Sequence, residues 1–189
     1  IVSADSCINV KEDPIPYVSR GGLKLEKALQ HFNIDPSGKV AMDVGASTGG
    51  FTDCLLKNGA SKVYAIDVGY GQLAWELRQD PRVVVMERQN IRYIEKSDIG
   101  ELLDLVTIDT SFISICKFLD RVLPILKEEG EIVALIKPQF EAGREEVGKG
   151  GVVREAKIHI KVLDQIVRFA QEMDLGVGGL TYSPITGPK

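Results

Sequence analysis

Metal-binding and cross-linking residues are scarce in this 189-residue chain, which carries two histidines and three cysteines. Cys7, Cys54 and Cys116 are widely separated, odd in number and without a Cys-x-x-Cys pair, which argues against a disulfide framework. Two of the three lie in apolar surroundings, so buried reduced thiols of a cytosolic protein are expected. His31 and His159 are too few for a zinc cluster, and no metal site is expected. Long apolar runs are missing as well: nothing approaches the roughly eighteen residues of a membrane-spanning helix. No secretory signal is expected at the start. Neither sign of charge dominates, since 23 basic and 27 acidic residues leave a formal net charge of −4. That balance does not advertise a partner for polyanions, and it leaves room for a local basic patch. Internal repeats and low-complexity segments are absent.

What is present is ordinary for one folded domain: 44% hydrophobic and 26% charged residues, enough for a proper α/β core and little else. The chain starts at Ile1 without an initiator Met and stops at the turn-like Gly187-Pro-Lys189, so a longer parent polypeptide is expected. Ile8-Asn-Val10 reads as a short strand, followed by an extended linker stiffened at Asp13-Pro-Ile-Pro16. A helix is predicted over residues 22–32, with Leu23, Ala28, Leu29 and Phe32 on its apolar face. Strands are then predicted at 40–44, 62–68, 83–87, 103–109 and 132–137, with a weaker one at 176–183. Helices fall between them at 50–58, 73–79, 115–128 and 155–173. The strands are nearly continuous apolar runs, as in a parallel sheet covered on both faces. Such alternation predicts a doubly wound, three-layer α/β sandwich.

The sharpest signal is Lys39-Val-Ala-Met-Asp-Val-Gly-Ala-Ser-Thr-Gly-Gly50, a buried strand that opens through a glycine-rich turn into a helix. Open α/β sheets bind nucleotide-like cofactors at such a strand end, where glycine lets the backbone approach a ligand closely. The spacing is neither the dinucleotide Gly-x-Gly-x-x-Gly nor a triphosphate loop. Asp43-x-Gly45-x-x-x-Gly49-Gly50 resembles instead the first motif of S-adenosylmethionine (SAM) methyltransferases. Asp67 closes the second strand at roughly the 20-residue offset of a ribose-gripping carboxylate, which accepts from two hydroxyls at once. After the third strand, Glu87-Arg-Gln-Asn90-Ile91 sets a polar and an apolar side chain where an adenine would lie. The candidate cofactor set is therefore Asp43, Gly45, Ala46, Ser47, Gly49, Gly50, Phe51, Asp67, Val68, Asn90, Ile91 and Asp109. Within it, Asp43 is assigned as a support that bonds amides of its own turn.

Lys24, Asp109 and Lys137 stand beside the first helix or at strand ends, and a Lys in an apolar strand end is costly unless paired or useful. Ser-Arg-Gly-Gly-Leu-Lys24, the glycine turn, Asp109-Thr-Ser-Phe-Ile-Ser114 and Lys137-Pro-Gln-Phe-Glu141 together resemble the TlyA group. These are hemolysin-named ribosomal RNA 2′-O-methyltransferases related to the FtsJ class, and the resemblance runs from about residue 8 to residue 189. It implies a class I, Rossmann-like SAM-dependent methyltransferase sandwich with a mostly parallel sheet whose final strand or strands are missing. It also implies that residues 1–16 are the remnant of an S4-type RNA-binding domain plus linker. Residues 17–189 would then be an FtsJ-like methyltransferase domain truncated at its C-terminal end. Lys24, Asp109 and Lys137 become the first three members of a Lys-Asp-Lys-Glu tetrad, with the Glu beyond Lys189.

Attack of a ribose hydroxyl on a sulfonium methyl is an in-line displacement, in which alignment supplies much of the rate. Lys137 is the expected general base, Asp109 holds its ammonium, and Lys24 orients the nucleophile or the adjoining phosphate. Six basic against four acidic residues between Lys137 and Lys161, and three against one around Arg20–Lys27, give two local patches of +2. Arg20, Lys24, Arg144, Lys149 and Arg154 are the expected RNA contacts, and glycine-rich 143–151 is expected to be a mobile loop over the cleft. Ribosomal RNA or ribosomal subunits are the expected partners of a cytoplasmic enzyme, without membrane or metal. A methyltransferase for a non-RNA substrate and a SAM-binding module without chemistry are the alternatives. A membrane-active protein, which the group's traditional name evokes, finds no support in the charged polar face of residues 155–173.

Overall fold

The computed structural model describes residues 15–186, so the short strand and RNA-binding remnant expected before Pro14 lie outside the described residues. Five parallel strands form one sheet: β1 (Val40–Val44), β2 (Lys62–Asp67), β3 (Val83–Glu87), β4 (Leu103–Ile108) and β5 (Leu126–Ala134), in the order β3-β2-β1-β4-β5. Seven α-helices accompany them among the described residues: α1 (Gly21–Phe32), α2 (Gly50–Lys57), α3 (Trp75–Gln79), α4 (Lys96–Ile99), α5 (Leu119–Val122), α6 (Pro138–Glu141) and α7 (Ala156–Glu172). Central β1 is buried from Ala41 to Val44, as its unbroken apolar run requires.

Alternation along the strands divides the core in two. Ala41, Val63, Ala65 and Leu105 face Leu25 and Leu29 of α1, Phe51 and Leu55 of α2, and Leu77 of α3. Met42, Val44, Ile66, Val106 and Ile108 face the opposite layer, built on Ile99, Phe118, Val122 and Ile125 with Phe169 of α7 packed alongside. The sandwich therefore has three layers. The strand order reverses its direction of growth between β1 and β4, so their carboxyl ends open a crevice at a topological switch point.

Three expectations fail around the fifth strand. The helix expected over 115–128 is broken: a 3₁₀ turn at Ile115–Lys117, the short α5 and a second 3₁₀ turn at Leu123–Ile125 replace it. Pro124 explains the stop, since it lacks an amide hydrogen and crowds the preceding turn. Strand β5 then begins at Leu126 rather than at residue 132, and it ends at Ala134, three residues before Lys137. Its early half bulges, because Leu103 pairs with Leu126 while Leu105 pairs with Glu131. The weak strand expected at 176–183 does not form. Its glycine-rich start disfavours a strand, and the segment lies against α1, with Lys27 Nζ 5.5 Å from the centre of the Tyr182 ring.

Candidate active site

The turn after β1 holds its shape through the backbone. Gly45 (φ +87°) and Ala46 both donate to the Ile66 carbonyl, at 2.9 and 3.1 Å. A β-carbon on Gly45 would stand 2.9 Å from the Asp109 carbonyl oxygen, so the ends of β1 and β4 touch through bare backbone. Gly49 adopts φ +97° and faces Leu73 and Leu77 rather than the crevice. Asp43 also turns away from it. Fully buried, it accepts from the Thr52 amide at 2.9 Å and from the Thr52 hydroxyl at 2.7 Å. Asp43 thus ties β1 to α2 instead of bonding its own turn, and neither it nor Gly49 lines a cleft. Burial raises the Asp43 carboxyl to about 7, against the pull of the two Thr52 bonds.

Asp67 lies at one side of a cleft of about 530 Å³, which Gly45, Ser47, Val68, Asn90, Ile91 and Asp109 also line. Its two oxygens accept from the backbone amides of Ser47 (2.8 Å) and Gly69 (2.7 Å), which aims the carboxylate and leaves lone pairs for a ligand. Asn90 Oδ1 accepts from the Arg92 amide at 3.1 Å and so caps the 3₁₀ turn that begins at Ile91. Glu87, the last residue of β3, pairs with Arg78 and accepts from the Gly71 amide at 2.9 Å. That pairing lowers the Glu87 carboxyl and fixes the loop beside Asp67.

A second cleft of about 220 Å³ shares Gly45, Ser47, Asp109 and Ser111 with the first. It gathers Lys24 from α1, Asp109 from the end of β4 and Lys137 from just before α6, with Ala46, Gly50 and Phe51 of the turn in its wall. Lys24 Nζ donates to Asp109 Oδ2 at 3.0 Å. Lys137 Nζ stands 2.5 Å from Asp109 Oδ1 as an ion pair, while its hydrogen bonds go to Ser111 Oγ (3.1 Å) and the Asp109 carbonyl (3.3 Å). The Oδ1 atom accepts no well-angled hydrogen bond and keeps capacity to accept. Two ammonium groups thus share one carboxylate, and all three side chains are no more than 23% exposed. Ser111 is the member that residue patterns missed, although it stands two positions past Asp109 in the strand-exit loop. The same loop carries Phe112 at φ +65°, 91% exposed, its ring 5.0 Å from that of Phe140.

The FtsJ-like methyltransferase family matches residues 17–189 of this chain. The chain belongs to that family. YqxC of Bacillus subtilis, provisionally named an rRNA methyltransferase, is 51% identical over 187 residues, which are 98% of this chain and 66% of its own length. TlyA of Mycobacterium tuberculosis, named a 16S/23S rRNA (cytidine-2′-O)-methyltransferase, is 48% identical over 173 residues, covering 92% of this chain and 65% of its own. A solved structure of a hemolysin-named protein from Streptococcus thermophilus superposes with a TM-score of 0.90 at 53% identity, covering 94% of this chain and 64% of the other. The chain spans just under two thirds of the curated relatives named here. The TlyA resemblance drawn from its motifs holds.

On this FtsJ-like methyltransferase the expected RNA contacts are dispersed. Arg20 sits exposed at the start of α1, and Arg144, Lys149 and Arg154 are exposed around the Gly148–Val152 bridge. None of the four side chains forms an ion pair among the described residues. Lys161 and Lys157, by contrast, are matched by Glu146 and Glu155 at 2.7 and 2.8 Å. No helix among the described residues is long and apolar enough to cross a membrane.

Proposed function

We propose that this chain is the methyl-transfer part of a SAM-dependent ribosomal RNA 2′-O-methyltransferase of the cytoplasm. The observation that carries the reading is the Lys24–Asp109–Lys137 cluster, held in a cleft that shares a wall with the Asp67 cleft. The residues of the larger cleft fit the cofactor. The turn has no side chain at position 45, where a β-carbon would press on the Asp109 backbone, and the Asp67 carboxylate is aimed by two amides with accepting capacity to spare. Asp67 would hold the ribose hydroxyls, Asn90 and Ile91 would flank the adenine, and the Gly45–Ser47 turn would face the amino-acid end. When bound, SAM supplies an electrophilic methyl group.

The remaining work falls to the side chains of the smaller cleft. Lys24 and Lys137 bracket Asp109, which keeps both nitrogens within a few ångströms of one point. A 2′-hydroxyl placed there would lose its proton, as its oxygen attacks, to Lys137 Nζ in its neutral amine form, the nitrogen having first given up one ammonium proton to solvent, while Ser111 and Asp109 hold it in place. Lys24 orients the hydroxyl or its neighbouring phosphate. Preorganised charge in a half-buried cleft costs no rearrangement at the moment of transfer. Arg20, Arg144, Lys149 and Arg154 would meet the RNA backbone, an attraction that salt weakens.

The test is transfer of radiolabelled methyl from SAM to ribosomal subunits by the full-length protein and by Lys137→Ala. The expected outcome is nuclease-resistant 2′-O-methylated dinucleotides that disappear in the variant. SAM binding without labelling of either subunit would overturn the RNA assignment, and full labelling by Lys137→Ala would overturn the role of that lysine.

A further inference from the structure

Asp53 is a buried acid that the proposed chemistry does not use. It lies one turn into α2, 5% exposed, and its Oδ2 accepts from the Val18 amide and from Lys57 Nζ, both at 2.9 Å. Lys57 reaches onward to the Pro16 carbonyl and stands 5.4 Å from the centre of the Tyr17 ring. Tyr17 in turn donates to Glu26 Oε1 at 2.7 Å, and its ring fills the place where a Gly22 side chain would stand. Residues 16–18 are therefore strapped to α2 by one ionic clamp and to α1 by the tyrosine.

That strap leads directly into α1, and Lys24 lies on the first turn of α1. Where α1 meets the start of α2, the contact is backbone plus the Ser19 hydroxyl: a β-carbon on Gly50 would run into Ser19 Oγ and fall 2.9 Å from the Gly22 nitrogen and 3.1 Å from the Gly21 α-carbon. The glycines allow this close approach. The clamp adds directional polar bonds at this end of α1, beside the apolar packing of Leu25 and Leu29 on Phe51 and Leu55. We propose that Asp53 is a positioning residue for methyl transfer and acts through Lys24, keeping its ammonium on Asp109. The inference rests on the methyl-transfer reading above. A drift of about 1 Å takes a 3.0 Å contact out of hydrogen-bond range, and misplacements of that size cost on the order of 100-fold in rate.

A double-variant cycle separates this role from a merely structural one. Single-turnover methyl transfer to undermethylated ribosomal subunits is measured for the full-length protein, Asp53→Asn, Lys24→Ala and the double variant, with SAM affinity by calorimetry and thermal unfolding recorded for each. Asp53→Asn is expected to slow transfer by roughly tenfold, with SAM affinity unchanged, and to cost nothing further once Lys24 is gone. An equal loss in both backgrounds, or a loss that tracks SAM affinity, overturns the proposal. Lys57→Met breaks the same clamp and runs through the same cycle if Asp53→Asn does not fold. Failure of the parent protein to label RNA strikes the methyl-transfer reading itself, an outcome distinct from additivity in the cycle.

Discussion

Lys24 and Lys137 occupy opposite oxygens of one carboxylate, Lys24 at 3.0 Å from Asp109 Oδ2 and Lys137 at 2.5 Å from Oδ1. They come from elements 113 residues apart in sequence (137 − 24), and Asp109 is what lets two like charges sit in one cleft.

Neutralising that carboxylate leaves two half-buried ammonium groups facing each other. Asp109→Asn is expected to reduce methyl transfer by at least about 100-fold and to destabilise the fold by about 1–3 kcal/mol. Methyl-transfer rates and urea unfolding curves check the two figures separately.

In the proposed reading Asp67 has a different task, and its loss would show in a different measurement. The side chain of Asp67→Ala no longer receives the Ser47 and Gly69 amides, and it offers nothing to a ribose. SAM affinity is expected to fall about 10- to 100-fold, the worth of one or two hydrogen bonds to a charged group. Calorimetric titration with SAM alone reads this without any RNA.

The parts of the fold that could be read ahead of the structure are those where one local signal stood uncontested. The apolar run of Val40–Val44 and the glycines after it fixed β1 and the turn. The place of Asp67 at the end of β2 was legible from the apolar run before it. Around Leu119–Ala134 two signals competed. The helical periodicity of residues 115–128 hid the effect of Pro124, and a bulge let charged Lys127–Glu129 enter a strand that periodicity assigned to a helix. Side-chain direction was less legible still. Asp43 and Gly49 belong to the glycine-turn motif and face away from the crevice, because Thr52, Leu73 and Leu77 claim them through contacts that residue spacing does not encode. Ser111 stood inside the Asp109–Ser114 motif without being singled out, and Asp53 was given no role; the packing of α1, α2 and the β4 exit gives them partners.

Gly45 is expected to tolerate no side chain. In Gly45→Ala the new β-carbon would lie 2.9 Å from the Asp109 carbonyl oxygen, on a backbone held at φ +87°. The variant should lose about 1–3 kcal/mol of stability and most of its SAM affinity, because β1 and β4 must part to admit the methyl group. Thermal unfolding with and without SAM measures both, and a variant that keeps the ligand-induced rise in melting temperature would contradict the close contact.

The pH dependence of stability carries a signature of Asp43. Its carboxyl is raised to about 7 in the folded protein, against an ordinary 3.8. The folded state therefore binds a proton that the unfolded chain has released. Its contribution is fully present below about pH 4, is lost as pH rises to about 7, and is constant above that. Asp43→Asn keeps an oxygen for Thr52 and has no charge to bury. Its stability relative to the parent should rise across that window, by at most about 1.4 kcal/mol per pH unit. Glu87, Glu101 and Asp104, held low by basic partners, push the opposite way in both proteins and cancel in the difference. Paired denaturation series across the window supply that difference curve.

The two clefts share Gly45, Ser47, Asp109 and Ser111, and so they are adjoining rooms with a common wall. An inhibitor need not choose between them. A nucleoside fitted to Asp67 and Asn90, tethered by a short linker past Gly45 to a group that engages Lys24 and Lys137, would draw on both at once. Selectivity would then come from the smaller cleft, since the ribose grip proposed for Asp67 recurs across nucleotide-binding α/β sheets.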